Sequence, residues 1–289
     1  MKIFAKIITA VLIAALSLFS FGVGRAIGGK MNDDDPKITY TKDETPEFGG
    51  FLRQADIPEK NSFYMLEDYW ERKPSDIDSI IGSVSVTEGR TDCIIRIMCN
   101  DTEITLKKGV DADIARQLLA DTERLDPALL SCVKTIELTP ELLQKQYDLD
   151  IGEEVIVRGM SDGVNIRLAD RYYRDYALIH ECFHNVDYCF GDVNGRFSLT
   201  EDFDGLMNDY VIPRDYPLFE SYYVSDKTSG EYFAAMGMFW YMDPDYLKAA
   251  DPVIYDFFES RFGELFPGRY AGYELRFKGY NKLTGKWEN

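Results

Sequence analysis

The feature that most restricts this chain's fold is the placing of its histidines. There are two in 289 residues. They are His180 and His184, four apart, with Glu181 directly after the first. On a helix, residues at i and i+4 project from one face on successive turns. The surrounding periodicity agrees: Tyr172, Tyr176, Ile179, Phe183 and Val186 recur at four-three spacing as an apolar stripe. That predicts a helix from Arg171 to about Phe190. Tyr173, Ala177, His180, His184 and Asp187 form the row beside the stripe, so both imidazoles and one carboxylate point the same way from a half-buried helix.

Two imidazoles at this spacing can ligate a single zinc ion, and a glutamate directly after the first sits beside the metal-bound water. Zn2+ lowers the pKa of that water toward neutrality. Glu181 then takes its proton as hydroxide attacks a carbonyl, and delivers it to the leaving amine. The chemistry this predicts is hydrolysis of a peptide bond in a polypeptide substrate. The bland alternative makes the histidines ordinary satisfied core residues that fell into this spacing by accident. With two histidines in the whole chain, that coincidence is a demanding one.

A catalytic zinc takes three protein ligands and keeps a position for water. No third histidine exists, so the remaining ligand is a carboxylate. Glu231, in Ser229-Gly230-Glu231-Tyr232-Phe233-Ala234-Ala235-Met236, opens an apolar helix that runs to about Met242 before Asp243-Pro244. The same residue also fits a capping box, with Thr228 as N-cap and Glu231 at the third helical position. Asp204, in Glu201-Asp202-Phe203-Asp204, is the second candidate. Its acidic stretch reads more readily as a solvated turn or a calcium-type oxygen site. Asp187, one turn beyond His184, is placed either to accept a hydrogen bond from a ligand imidazole and fix its tautomer, or to stand as a surface carboxylate.

The rest of the pattern is an α+β series. Cys93 to Cys99 and Val133 to Leu138 read as strands, with a helix through Ala112 to Glu123 between them. Thr139 can cap and Pro140 can open a further helix. Glu154 to Arg158 and Val164 to Leu168 flank Gly159-Met160-Ser161-Asp162-Gly163 as a hairpin. Asp251-Pro252 starts a helix carrying Ile254, Phe257, Phe258, Phe262 and Leu265. Residues 76 to 289 are read as the folded domain, preceded by an acidic spacer over 25 to 75. Phe63-Tyr64-Met65 and Tyr69-Trp70 within that spacer are either a packed helix or the end of the linker.

Lys2 and Lys6 precede an uncharged run from Ile7 to Gly24, followed by Arg25, the order of a secretory signal. Gly22-Val23-Gly24 offers a small-x-small cleavage site, which the shortness and serine content of the run favour. The run is also just long enough to remain as an N-terminal membrane anchor. Either way the domain is expected outside the cell, secreted or on the outer membrane face. The formal charge of −18 speaks against a nucleic-acid partner, which such a surface repels. Five cysteines leave at least one unpaired. Cys93 and Cys99, about 20 Å apart if extended, and Cys182 and Cys189, about 10 Å apart on a helix, are too distant to bridge. Buried free thiols are expected.

His180-Glu181-Cys182-Phe183-His184-Asn185-Val186-Asp187, with Glu231-Tyr232-Phe233-Ala234 downstream, resembles the catalytic domain of anthrax lethal factor and its toxin-like relatives, which are gluzincin-type peptidases. The resemblance spans roughly residues 80 to 270. It implies a zincin-like α+β domain with a small twisted sheet, an active-site helix and a mostly helical C-terminal half. It also implies that Val164 to Leu168 is the edge strand that pairs with an extended substrate. Tyr223 or Tyr222 takes the place of a tyrosine that stabilises the oxyanion. Two departures stand out: Phe183 replaces a small residue, and Ala235 replaces an acidic one. A non-catalytic exported module that keeps the same fold for binding is the alternative reading.

Overall fold

The structure is a computed structural model and describes residues 57–66, 77–143, 145–148, 153–191, 195–208, 228–269, 280–281 and 286–287. In chain order the first elements are β1 (Phe63–Met65), α1 (Ile77–Ser83), a small hairpin of β2 (Val86–Thr87) and β3 (Arg90–Thr91), β4 (Ile95–Cys99) and β5 (Thr102–Leu106). Two helices follow, α2 (Ala112–Arg124) and α3 (Pro127–Ser131), and lead into β6 (Thr135–Thr139). Strands β7 (Lys145–Asp148) and β8 (Glu153–Ile156) pair with each other, ahead of β9 (Gly159–Ser161) and β10 (Asn165–Ala169). Then come α4 (Asp175–Cys189), α5 (Glu201–Asn208), α6 (Ser229–Met242), α7 (Pro244–Ala250) and α8 (Pro252–Phe262).

One six-stranded sheet in the order β1-β4-β5-β6-β10-β9 organises the protein. β5, β6 and β10 run parallel, while β1, β4 and β9 are antiparallel to their neighbours. Alternation along the strands makes the sheet one-sided. Ile95, Ile97, Ile104, Leu106, Ile136, Leu138, Ile166 and Leu168 are fully buried on one face. The residues between them include Arg96, Glu103, Glu137 and Arg167 on the other, paired at 2.6 Å (Arg96–Glu103) and 3.0 Å (Arg167–Glu137). The apolar face therefore receives the helices. The fold is a mixed α/β domain, and no helix among the described residues is long and apolar enough to cross a membrane.

Several expectations change. The strand Val164 to Leu168 is not the edge: β10 lies between β6 and β9, and the three-residue β9 takes the outer position. Glu154 to Arg158 is not an arm of that hairpin, because β8 pairs with β7 and the arms are β9 and β10. No helix follows Pro140 among the described residues up to β7. Thr139 Oγ1 does accept the Glu141 N–H at 3.3 Å, but this closes a turn. β1 pairs with β4, so the sheet begins inside the stretch read as spacer. Cys93 stands before β4, exposed, whereas Cys99, Cys132 and Cys182 are buried free thiols. Residues 1–24, Tyr69 and Trp70 lie outside the described residues.

The histidine-bearing helix α4 is more deeply enclosed than half-buried, with every residue from Ala177 to Phe183 buried. Phe183 is boxed by the rings of Trp240, Tyr241, Phe258 and Phe266, at centroid distances of 6.0 to 6.4 Å. Its edge rests on Gly237 of α6, where an added Cβ overlaps the ring. The large residue on one helix is thus matched by a missing side chain on the other. Gly237→Ala is expected to destabilise the fold: overpacking a ring that cannot yield costs about 1–3 kcal/mol, more than the ~1 kcal/mol gained in helix propensity. Chemical denaturation measures this, and a Phe183→Leu background should remove most of the loss. An equal loss in both backgrounds refutes it.

Asp121 on α2 is buried, and accepts a hydrogen bond from the Tyr173 phenol at 2.9 Å. Burial pushes its pKa up to about 6, with the Tyr173 hydrogen bond opposing only in part. The folded state therefore favours the neutral acid, and the cost of ionising it in place appears as pH rises from about 4 and is complete above about 6. Asp121→Asn is expected to raise stability at pH 7 by on the order of 2 kcal/mol and to change it little at pH 4. Melting curves at both pH values check this; equal gains at the two would rule it out.

Candidate metal centre

The centre is built where α4 crosses α6. Successive turns of α4 bring His180 and His184 side by side, with ring centroids 4.8 Å apart and planes at 86°. Both Nε2 atoms face the first turn of α6. There Thr228, the N-cap, accepts the Glu231 N–H at 3.4 Å, which fixes Glu231 at the third helical position. Its carboxylate then extends to α4: Oε2 lies 3.2 Å from His180 Nε2 and Oε1 lies 3.3 Å from His184 Nε2. The N-cap half of the box uses the Glu231 N–H, while the carboxylate that its reciprocal half would need is turned to the imidazoles.

These three side chains are the group among the described residues able to hold a metal ion, with ligand atoms within 4.8 Å of one another. The donor set fits zinc, which accepts imidazole nitrogen and carboxylate oxygen at about 2.0–2.2 Å. Two ligands of a tetrahedral ion at such bond lengths stand about 3.3 Å apart, close to the two histidine–glutamate distances. His180 is almost wholly enclosed, whereas the Glu231 side chain is 39% exposed. The site thus opens to solvent on the glutamate side.

Glu181 is buried, and both imidazoles act on its carboxyl by charge. Its carboxyl rests on Gly159 of the edge strand: a Cβ there would stand 2.6 Å from Oε1. Enclosure raises the Glu181 pKa above the usual carboxylate range, the two imidazoles pull it down, and Glu231 adds to the rise. For Glu231 burial also opposes ionisation, but hydrogen bonds and charge from both imidazoles overcome it and hold the carboxyl well below the usual range. Burial lowers the His184 pKa, and the hydrogen bond to Glu231 with the charges of Glu181, Glu231 and Asp187 raises it further, for a net rise. The two glutamates are thereby driven apart, one toward permanent charge and the other toward holding a proton.

Asp187 is neither a surface carboxylate nor, in the bonds its carboxylate makes to Ser198, a partner of a ligand imidazole. Its carboxylate accepts both the N–H and the hydroxyl of Ser198, each at 2.6 Å. It anchors the turn at Phe197–Leu199 and reaches His184 by charge alone. Asp204 falls on α5 rather than in a loop. Its side chain, like Tyr222 and Tyr223, lies outside the described residues. Sequence reasoning missed the edge-strand contacts: Gly159 against Glu181, and Ser161, which donates to Asn185 Oδ1 one turn beyond Glu181. Gly159-Met160-Ser161 looked like turn material, and period-two alternation over three residues is too short to signal a strand.

Gly159→Ala is expected to leave the fold and metal ligands intact and to displace the Glu181 carboxyl, because a side-chain terminus yields more easily than backbone. Any hydrolysis at this centre that uses Glu181 should fall by about 10-fold or more, with metal binding unchanged. Full activity in Gly159→Ala would show that this contact is dispensable.

No protein-family model matches the chain, and no curated protein matches it.

Proposed function

We propose that this chain is a zinc-dependent peptidase of zincin-like fold, exported from the cell and acting on polypeptides. The observation that carries the reading is the convergence of His180, His184 and Glu231, with a buried glutamate next to His180 in sequence whose carboxyl feels the charge of both imidazoles. The first three residues hold the metal. Zinc supplies a Lewis acid and a water acidified toward neutral pH when bound. Glu181 takes a proton onto its carboxylate and returns it to the leaving amine nitrogen, a task suited by the raised proton affinity that burial gives it. Glu231 stays ionised and keeps its two oxygens available as ligands. The positively flanked apolar run ahead of the domain supports export, and the charge of −18 disfavours nucleic acid.

The test is direct. The purified chain is loaded with zinc, incubated with a diverse peptide mixture, and the products are read by mass spectrometry with and without a chelator. Chelator-sensitive cleavage and zinc at one per chain are expected. Stoichiometric zinc with no cleavage would reduce the protein to a metal-bearing binding module, and no bound zinc would end the proposal.

A further inference from the structure

The chain holds 50 carboxylates against 32 lysines and arginines, so an enclosed arginine that lacks an acidic partner is out of character. Arg158 is one. It is half-buried, and among the described residues no carboxylate lies within ion-pair distance of it. Its guanidinium instead reaches the Tyr176 hydroxyl and stands 5.9 Å from the centroid of that ring. Arg174, exposed at the N-terminus of α4, adds a second positive charge felt at the same phenol, against one negative charge from Asp175. Arg174 donates one hydrogen bond to the Tyr173 carbonyl at 2.6 Å.

The position gives this cation a use. Arg158 directly precedes Gly159, the residue against which Glu181 rests, and Tyr176 stands one helical turn before His180. The guanidinium therefore bridges the edge strand and α4 through Tyr176, which precedes His180 and His184 by about 6 and 12 Å along the helix axis at about 1.5 Å per residue. An extended peptide covers that span in about three residues. A phenol occupies one donor of the guanidinium. The planar fork binds best to the two oxygens of a carboxylate, and partial burial strengthens that bond.

Resting on the peptidase reading, we infer that Arg158, with Arg174 beside it, forms a carboxylate-binding subsite that selects polypeptides bearing an acidic group within about three residues of the scissile bond. Two sources offer that chemistry: an Asp or Glu side chain, or the terminal carboxylate of the substrate. A purely structural Arg158, present only to hold Tyr176, predicts no such preference.

The experiment uses the full zinc-loaded chain and matched peptides. One set carries Asp or Glu in place of Asn or Gln within three residues of the cleaved bond, and another compares a free C-terminus with its amide. In the wild type, at least one acidic form should be cleaved with about 10-fold higher kcat/KM than its neutral counterpart, and the set that responds identifies the source. In Arg158→Gln, whose amide can still meet the Tyr176 hydroxyl, the acidic-to-neutral ratio should fall to near one. Arg158→Lys should retain part of it. Wild-type cleavage without acid preference, or a preference that survives in Arg158→Gln, overturns the inference. The same peptides are also titrated onto the Glu181→Gln chain. Acid-dependent binding that needs Arg158, in a protein that hydrolyses nothing, would sink the peptidase reading and leave the subsite standing. Absence of both sinks both.

Discussion

Glu181→Gln is expected to reduce peptide hydrolysis by about 10²–10⁴-fold while leaving zinc content and melting temperature close to those of the wild type. The amide has the shape of the carboxyl and fills the same space against Gly159, so it introduces neither cavity nor clash. It cannot take a proton at the pH of the reaction, and that capacity is the one property removed. The side chains able to hold a metal are on other residues, and removal of an enclosed acid whose ionisation burial opposes costs the fold little. The two measurements are the kcat/KM of one defined peptide and the zinc stoichiometry of the same preparation. Hydrolysis within a few-fold of wild type, at full zinc occupancy, would remove Glu181 from the mechanism. Loss of zinc along with activity would make Glu181 a structural residue instead.

The legible part of this protein is the part in which chemistry and periodicity share one helix. The spacing of His180 and His184 requires a helical face, and α4 spans Asp175–Cys189. Glu231, which the structure brings to the two imidazoles, was legible as a candidate because the scarcity of histidine pointed to a carboxylate, and because Thr228 and the apolar run beyond it marked a helix start. What stayed hidden depends on contacts between distant segments. No local pattern tells that Phe183 sits where Gly237 leaves room, or that the last strand of the sheet is three residues long. Strand order is also invisible to alternation, so no local pattern stood against the resemblance's implication that β10 is the edge strand. Thr139-Pro140 carries a true helix-start signal. It closes a turn instead because the chain goes on to pair β7 with β8.

Glu231→Gln is expected to weaken zinc binding by at least about 100-fold, while Asp204→Asn changes it little. The argument rests on what each atom of the residue does. The N–H of Glu231 is the one capped by Thr228, and glutamine keeps that N–H, so α6 starts where it did and stays packed on α4. The carboxylate is the part that lies 3.2 and 3.3 Å from the two imidazole nitrogens, and a neutral amide is a far poorer partner for a dication. Thr228→Ala provides the converse control: it removes the cap, at a cost of about 1 kcal/mol in stability, and leaves the carboxylate. Zinc affinity should therefore track position 231 and stability position 228. A competition titration against a chromophoric chelator separates the two. If Thr228→Ala loses as much zinc as Glu231→Gln, the carboxylate is no ligand and positions the helix alone. If Asp204→Asn loses more than either, the third ligand belongs to α5. Metal removal has its own signature in the wild type. Without the ion, the Glu231 carboxylate still binds the imidazoles and its pKa lies below the usual range. Its contribution to stability is then present above the ordinary carboxylate range and lost only as pH falls well below it.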